Sequence, residues 1–394
     1  MEYNFSNKLA NLKPSAIREI FKSLTDPEII AFAAGNPNPL SFPADEFKRI
    51  AADILEHDAI AALQYGITEG YMPLRRLVSE RNREKFGIGR DFDDTIIVSG
   101  GQQGIELTCK AFCNEGDVVL CEDPSFIGAL NSFRSCGATP IGVPLGERGI
   151  DPDAFEEAIV RTGAKLLYII PNFQNPVGSC TPLETRRRIY EVALRHGVII
   201  LEDDPYGELR FSGEAIPSIK SFDTEGIVVY CSSFSKLLSS GLRVGHVTAP
   251  KKIIEKITVA KQSEDVHTNC LAQMLVYRYI TECDFEAHIA SIRALYAKKS
   301  AIMLEALDRE MPEGVTFTRP EGGLFVWCTL PEGIDLTELV SRALARKVAV
   351  VPGSAFMPDG GLPSRSFRMT YATPTDEQIT RGIAVLGEII REMM

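Results

Sequence analysis

Residues 227–245 read IVVYCSSFSKLLSSGLRVG. Five apolar residues, Ile227 to Cys231, run straight into a loop that holds five serines, Lys236 and Arg243. An apolar run without polar alternation suits a parallel strand covered by helices on both faces. Working outward, four more such runs precede it: TIIVS (95–99), VVLC (118–121), LLYII (166–170) and VIIL (198–201). They alternate with helical patterns such as Leu183 to His196, entered through Thr181-Pro182, a cap followed by proline. The middle of the chain therefore reads as a doubly wound α/β unit.

Each run ends in a polar motif: SGGQQG, EDPSF, PNFQNPVG, EDDPYG and SSFSK. In open parallel sheets the ligand crevice lies outside the strand carboxyl ends, so the five loops are expected to converge on one site. SGGQQG opens a helix and leaves the amides of Gly101, Gln102 and Gln103 free at its positive end, a phosphate cup. Neither GxGxxG nor a P-loop pattern occurs, which argues against a dinucleotide or nucleoside triphosphate. Phe126 offers an aromatic plate, against the alternative of a core residue. Asn175 offers a ligand amide, against the turn that Asn-Pro signals. Glu202, Asp203 and Asp204 end a buried strand, where an ionised carboxylate needs a cation; one should face the site, and the others serve as caps. A lysine at such a low-dielectric mouth can lose its proton and form a Schiff base with a carbonyl.

After Asp265 the strand rhythm stops. Two helices are expected, Thr268 to Thr281 and Asp284 to Met311, the second spanning roughly 40 Å and able to lead into another domain. From Val315 onward, short strands (GLFVWCTL, SFRMTYA) mix with helices, as in a small α+β domain. The 394 residues carry a net charge of -11, which disfavours a nucleic-acid partner. No run is apolar and long enough to span a membrane, and the first thirteen residues lack signal-peptide order. Nine cysteines, an odd number without a CxxC pair, point to a reducing, cytoplasmic setting. Cys109 and Cys113 read as buried hydrophobes; no histidine is spaced to join them, so no metal site is expected.

Together, SSFSKLLSSGLRVG, PNFQNPVG and EDDPY resemble the class I/II aminotransferases of pyridoxal-phosphate fold type I. The likeness is to the branch of 2-aminoadipate aminotransferase, kynurenine aminotransferase II and the aminotransferase domain of MocR regulators. It extends through LQYGITEGYMPLR (63–75), EGGLFVW (321–327), VPGSAF (351–356) and FRMTYA (367–372). The resemblance implies a large domain, 46–285, with a mostly parallel seven-stranded sheet flanked by helices. It implies a small α+β domain, 286–394, joined by a substrate-covering N-terminal segment, 1–45.

It also implies roles. Lys236 would carry pyridoxal 5'-phosphate as an internal aldimine and shuttle the proton, and Asp203 would pair with the ring nitrogen. Asn175 and Tyr206 would hold the phenolic oxygen, Tyr206 counting with Lys236 and Asp203 as catalytic, and Phe126 would stack on the ring. Gly101, Gln102, Gln103, Ser233, Ser235 and Arg243 would hold the phosphate, with Tyr65 from a second subunit, making a homodimer with shared sites. Arg368 would fix the substrate carboxylate beside Asn175. Gly35, and Arg18 in PSAIREIF, would face the substrate. The reaction implied is ping-pong transfer of an amino group from an L-amino acid to a 2-oxo acid, 2-oxoglutarate or pyruvate. A β-lyase or decarboxylase on the same fold is the alternative enzyme. A MocR-like regulatory module is the non-enzyme alternative, disfavoured by the acidic charge and by a chain that opens at once on the covering segment.

Overall fold

The computed structural model describes residues 3, 5–10, 26–359 and 363–394. Its strands, in chain order, are β1 (Ile30–Ala31), β2 (Asp93–Val98), β3 (Val118–Asp123), β4 (Thr139–Gly146), β5 (Gly149–Ile150), β6 (Leu166–Ile169) and β7 (Ile199–Asp203). There follow β8 (Val228–Ser233), β9 (Gly245–Pro250), β10 (Thr316–Phe317), β11 (Phe325–Thr329), β12 (Val348–Ala349), β13 (Val351–Pro352) and β14 (Ser366–Thr370). The five apolar runs are thus β2, β3, β6, β7 and β8.

They lie in one sheet of order β2-β9-β8-β7-β6-β3-β4-β5. Strands β3, β4, β6, β7 and β8 are mutually parallel. β9 is antiparallel to both β8 and β2, which turns β2 back to the majority direction. All five motif loops therefore leave the same edge. Both faces of the sheet are covered: Val119, Leu166, Tyr168, Leu201 and Val229 belong to one apolar core. Leu120, Leu167, Ile169, Ile200 and Val228 belong to another. Two-sided burial is why these strands read as unbroken apolar runs.

The sheet has eight strands where seven were expected, because the two-residue β5 adds an antiparallel edge to β4. Neither β4 nor β9 stood out in the sequence. β4 holds Pro140, Gly142 and Pro144, which weaken a strand pattern and are tolerated near a sheet edge. β9 opens on Gly245 and spans only six residues.

The long helix is Phe285–Glu310, capped by the Asp284 side chain on the Ala287 amide. It packs against the C-terminal helix Asp376–Met393. Beside it, β10, β11, β14 and β13 form a four-stranded antiparallel sheet. β1 pairs in parallel with β12, tying the N-terminal segment to the C-terminal elements. That pairing brings Ala33 to Asn36 over the carboxyl edge of the large sheet, beside Arg368 on β14.

Candidate active site

The strand ends surround a cavity of about 390 Å³, within the range of small-molecule pockets. Lys236 sits in a single helical turn after β8, where the Leu237, Leu238 and Ser239 amides all donate to the Phe234 carbonyl. That turn aims its side chain across the cavity, and Nζ donates to the Gly35 carbonyl at 2.7 Å. Burial, aided by the positive charges of Arg368 and Arg243, pushes its pKa down to about 8.

Asp203 ends β7, only 4% exposed, and Oδ2 accepts from the Tyr168 hydroxyl at 2.7 Å. Burial raises its pKa to about 7. Its two acidic neighbours turn away from the cavity. Glu202 accepts from the Ser218 hydroxyl and the Ile219 and Lys220 amides, anchoring the loop before β8. Asp204 accepts from Asn172, the Gly207 amide and Tyr230. The carboxylate cluster thus divides into one that faces the cavity and two that hold loops.

Arg368 is 3% exposed on β14, pairs with no carboxylate among the described residues, and has its pKa lowered to about 10 by burial. Nη1 donates to Asn175 Oδ1 at 2.8 Å and Nη2 to the Ala33 carbonyl at 3.0 Å, while Nε has no partner. Its guanidinium lies 4.3 Å from the Phe325 ring centre. Phe126, Tyr206 and Gly35 also line the cavity. Tyr206 stands edge-on to Phe325, and burial raises its hydroxyl pKa.

At the other end of the cavity, the helix Gly101–Phe112 starts without a side-chain cap. Ser233 Oγ meets Ser235 Oγ at 2.7 Å, and Arg243 Nη1 reaches Ser235 Oγ at 3.3 Å. Of the serines without an expected role, Ser232 donates to the Asp204 carbonyl and Ser239 accepts from the Gly241 amide. Gly245 permits a close approach: a Cβ there would come within 2.9 Å of the Gly100 carbonyl carbon.

Two expected site residues, Gln103 and Tyr65, stand outside this cavity. The Gln103 side chain leaves the cavity, bonded to the Ser99 amide, Lys261 and Glu264, and its own amide donates to the Gly100 carbonyl. Helix geometry causes this, since the residue lies one position beyond the two whose amides face the opening. The Gln102 side chain is likewise spent on the Gly128 carbonyl and Ser132, leaving its backbone to the cup. Tyr65 is 81% exposed and outside the cavity of its own chain. Arg18 lies outside the described residues. Conversely, the sequence reading missed Tyr168, whose only signal was a lone hydroxyl inside the run LLYII. It also missed Glu122, buried in EDPSF with a pKa raised by burial to about 8.

The model of the aminotransferase class I and II family matches residues 27–386. The chain belongs to the class I and II aminotransferases. It is 41% identical over 393 residues to the 2-aminoadipate transaminase of Thermus thermophilus, covering 99% of this chain and 97% of that protein. It is 39% identical over 398 residues to aromatic-amino-acid aminotransferase 1 of Thermococcus litoralis, covering 100% and 95%. The structure of Pyrococcus horikoshii kynurenine aminotransferase, in complex with PMP, superposes with a TM-score of 0.94 at 38% identity, covering 98% and 97% of the two chains.

This aminotransferase uses pyridoxal 5'-phosphate, and the cavity fits it. One end offers the Gly101 and Gln102 amides, two serine hydroxyls and Arg243, suited to a phosphate. A Cβ at Gly101 would approach nothing closer than 3.8 Å, so the cup is open. The middle offers a buried carboxylate and an aromatic ring, and the far end a lysine amine and an arginine with a free Nε.

Proposed function

We propose that this aminotransferase takes the amino group of an L-amino acid and passes it to a 2-oxo acid, 2-oxoglutarate or pyruvate, in two half-reactions at this one cavity. The observation that carries the reading is that the Lys236 amine and a buried Arg368 without a carboxylate partner open on the same space. A guanidinium so buried is costly unless an anion meets it, and its planar fork matches an amino acid's carboxylate. Asn175, which holds Nη1, keeps that fork in place.

Bound at the cup, pyridoxal 5'-phosphate supplies an electron sink for the substrate α-carbon. Asp203 would offer its carboxylate to the ring nitrogen, Tyr206 and Asn175 would hold the phenolic oxygen, and Phe126 would cover the ring. Gly101, Gln102, Ser233, Ser235 and Arg243 hold the phosphate. Lys236 Nζ, with its proton loosened by burial, would take the donor's α-proton and hand it on within the same half-reaction, and in the second half-reaction would deliver a proton to the acceptor's α-carbon.

The donor side is proposed to accept large side chains, aromatic or long and acidic. The names of the relatives support this, as do the cavity walls Phe126, Ile127 and Phe325. Arg18 is proposed to read a side-chain carboxylate. Tyr65 of one subunit is proposed to reach the cofactor phosphate of the other in a homodimer. Its exposure, with that of Leu40, Ile60 and Leu63, supports the dimer. Residues 46–285 are proposed as the large cofactor-holding domain and 286–394 as the small C-terminal domain, with 1–45 as the substrate-covering segment that belongs to the small domain. Nine free cysteines support a reducing, cytoplasmic setting. Among the described residues, no helix is long and apolar enough to cross a membrane.

The test is a donor panel with 2-oxoglutarate and pyruvate as acceptors, with products identified. A new 2-oxo acid and a new amino acid in equal amounts are expected. Ammonia and pyruvate from a cysteine conjugate, with no acceptor needed, would replace the reading with a β-lyase. In Arg18→Ala the loss should be confined to dicarboxylic donors.

A further inference from the structure

We propose that Tyr168 is a positioning residue, which fixes the Asp203 carboxylate by one oxygen and leaves the other to the cofactor's ring nitrogen. The inference rests on the reading of Asp203 given above.

Tyr168 lies on β6 opposite Leu201 of β7, two residues before Asp203. Paired residues of neighbouring strands project to the same face, and so do residues two apart on one strand. Tyr168 is therefore the diagonal neighbour of Asp203 on the cavity side of the sheet. Its hydroxyl meets Oδ2 at 2.7 Å, the one hydrogen bond to the Asp203 side chain among the described residues. Oδ1 faces the cup, 3.9 Å from where a Cβ on Gly101 would stand. The tyrosine ring is fully buried and stands edge-on to Phe133 at 5.5 Å, so the hydroxyl is held where it is. Phe133 belongs to the helix Ile127–Ser135, which begins beside the plate Phe126.

The charge around Asp203 makes this bond decisive. Burial and the neighbouring Asp204, just after β7, both favour its protonated form, and Tyr168 opposes them. Glu122 comes from β3, Cys231 from the paired position of β8, and Tyr206 from the loop after β7; Asp203 raises the pKa of each. No described cation forms an ion pair with Asp203, and Lys236 and Arg368, in the same cavity, bond to Gly35, Ala33 and Asn175 instead. Tyr168 itself stays protonated as a donor, since burial carries its pKa well above the usual phenol value.

Tyr168→Phe keeps the ring and removes the donor. The probe is pyridoxamine 5'-phosphate, which binds the apoenzyme without a bond to Lys236, titrated by fluorescence from pH 5.5 to 9. In the wild type, affinity should fall as pH drops through about 7, where Asp203 takes up its proton. In Tyr168→Phe that fall should begin about one to two pH units higher, from the worth of a hydrogen bond to a charged group. The dissociation constant at pH 7 should rise about 5- to 50-fold, and the two curves should converge toward pH 9. Replacing Tyr168 by 3-fluorotyrosine, a stronger donor of nearly the same size, should move the step the other way. A Tyr168→Phe curve that overlies the wild type, while Asp203→Asn has lost the step, overturns the inference and leaves Asp203 in its role. An Asp203→Asn curve that overlies the wild type sinks the reading of Asp203 itself.

Discussion

Arg368 is a cation that water barely reaches and Lys236 a half-buried one, and each is kept for a negative or electrophilic partner that the described residues do not supply. For Lys236 the sign of the pH effect follows from its lowered pKa. The unfolded lysine holds its proton to about 10.5 and the folded one only to about 8. Between those values the unfolded state binds more protons, so stability of the apoenzyme should rise with pH. Apo Lys236→Met should therefore melt higher than apo wild type at pH 7, and the gap should close by about pH 10, as read by differential scanning fluorimetry. In the holoenzyme, Lys236→Ala should abolish the visible cofactor band and lower turnover by about 10²- to 10⁴-fold or more, the usual worth of a positioned proton carrier. Arg368→Lys keeps charge but loses the fork, and kcat/KM for the amino acid should fall by roughly 10²-fold. These residues were legible because their motifs are rigid. Gln103 was misread because adjacent helix positions point in different directions, and a run of two glutamines does not say which one faces out.

At the scale of elements, the phosphate cup depends on β9 crossing tightly beneath the start of the helix Gly101–Phe112. Gly100 has φ 81° and ψ 163°, a region essentially restricted to glycine, and a Cβ there would stand 2.1 Å from Arg243 Nη2. Gly100→Ala should destabilise the apoenzyme by about 1–3 kcal/mol and weaken cofactor binding as well. Gly163→Ala is the control: its φ of 65° is strained but nothing lies within 4 Å of the added Cβ. It should cost about 1–2 kcal/mol in thermal or urea unfolding and leave cofactor affinity alone. The five cavity-bearing strands were legible because both faces of each are buried. β4 and β9 were not, because prolines and glycines hide a strand whose hydrogen bonds are made by its neighbours.

At the scale of the whole molecule, Leu40, Ile60, Leu63 and Tyr65 are each more than 70% exposed and lie within 26 residues of one another in the chain. A second subunit would bury them. From the proposed homodimer, Ile60→Glu with Leu63→Glu should give a monomer in sedimentation, with cofactor affinity reduced by loss of the contact proposed between Tyr65 and the partner's phosphate site. The sequence by itself determined the strand-and-loop grammar, the one lysine and the family, since each is written in residues adjacent along the chain. Only the tertiary structure decided which loops Glu202 and Asp204 hold, that Tyr168 holds Asp203, and that β1 on β12 carries Gly35 to Lys236. Those facts depend on the register between strands far apart in the chain, and register is set by packing across the sheet rather than by any local pattern.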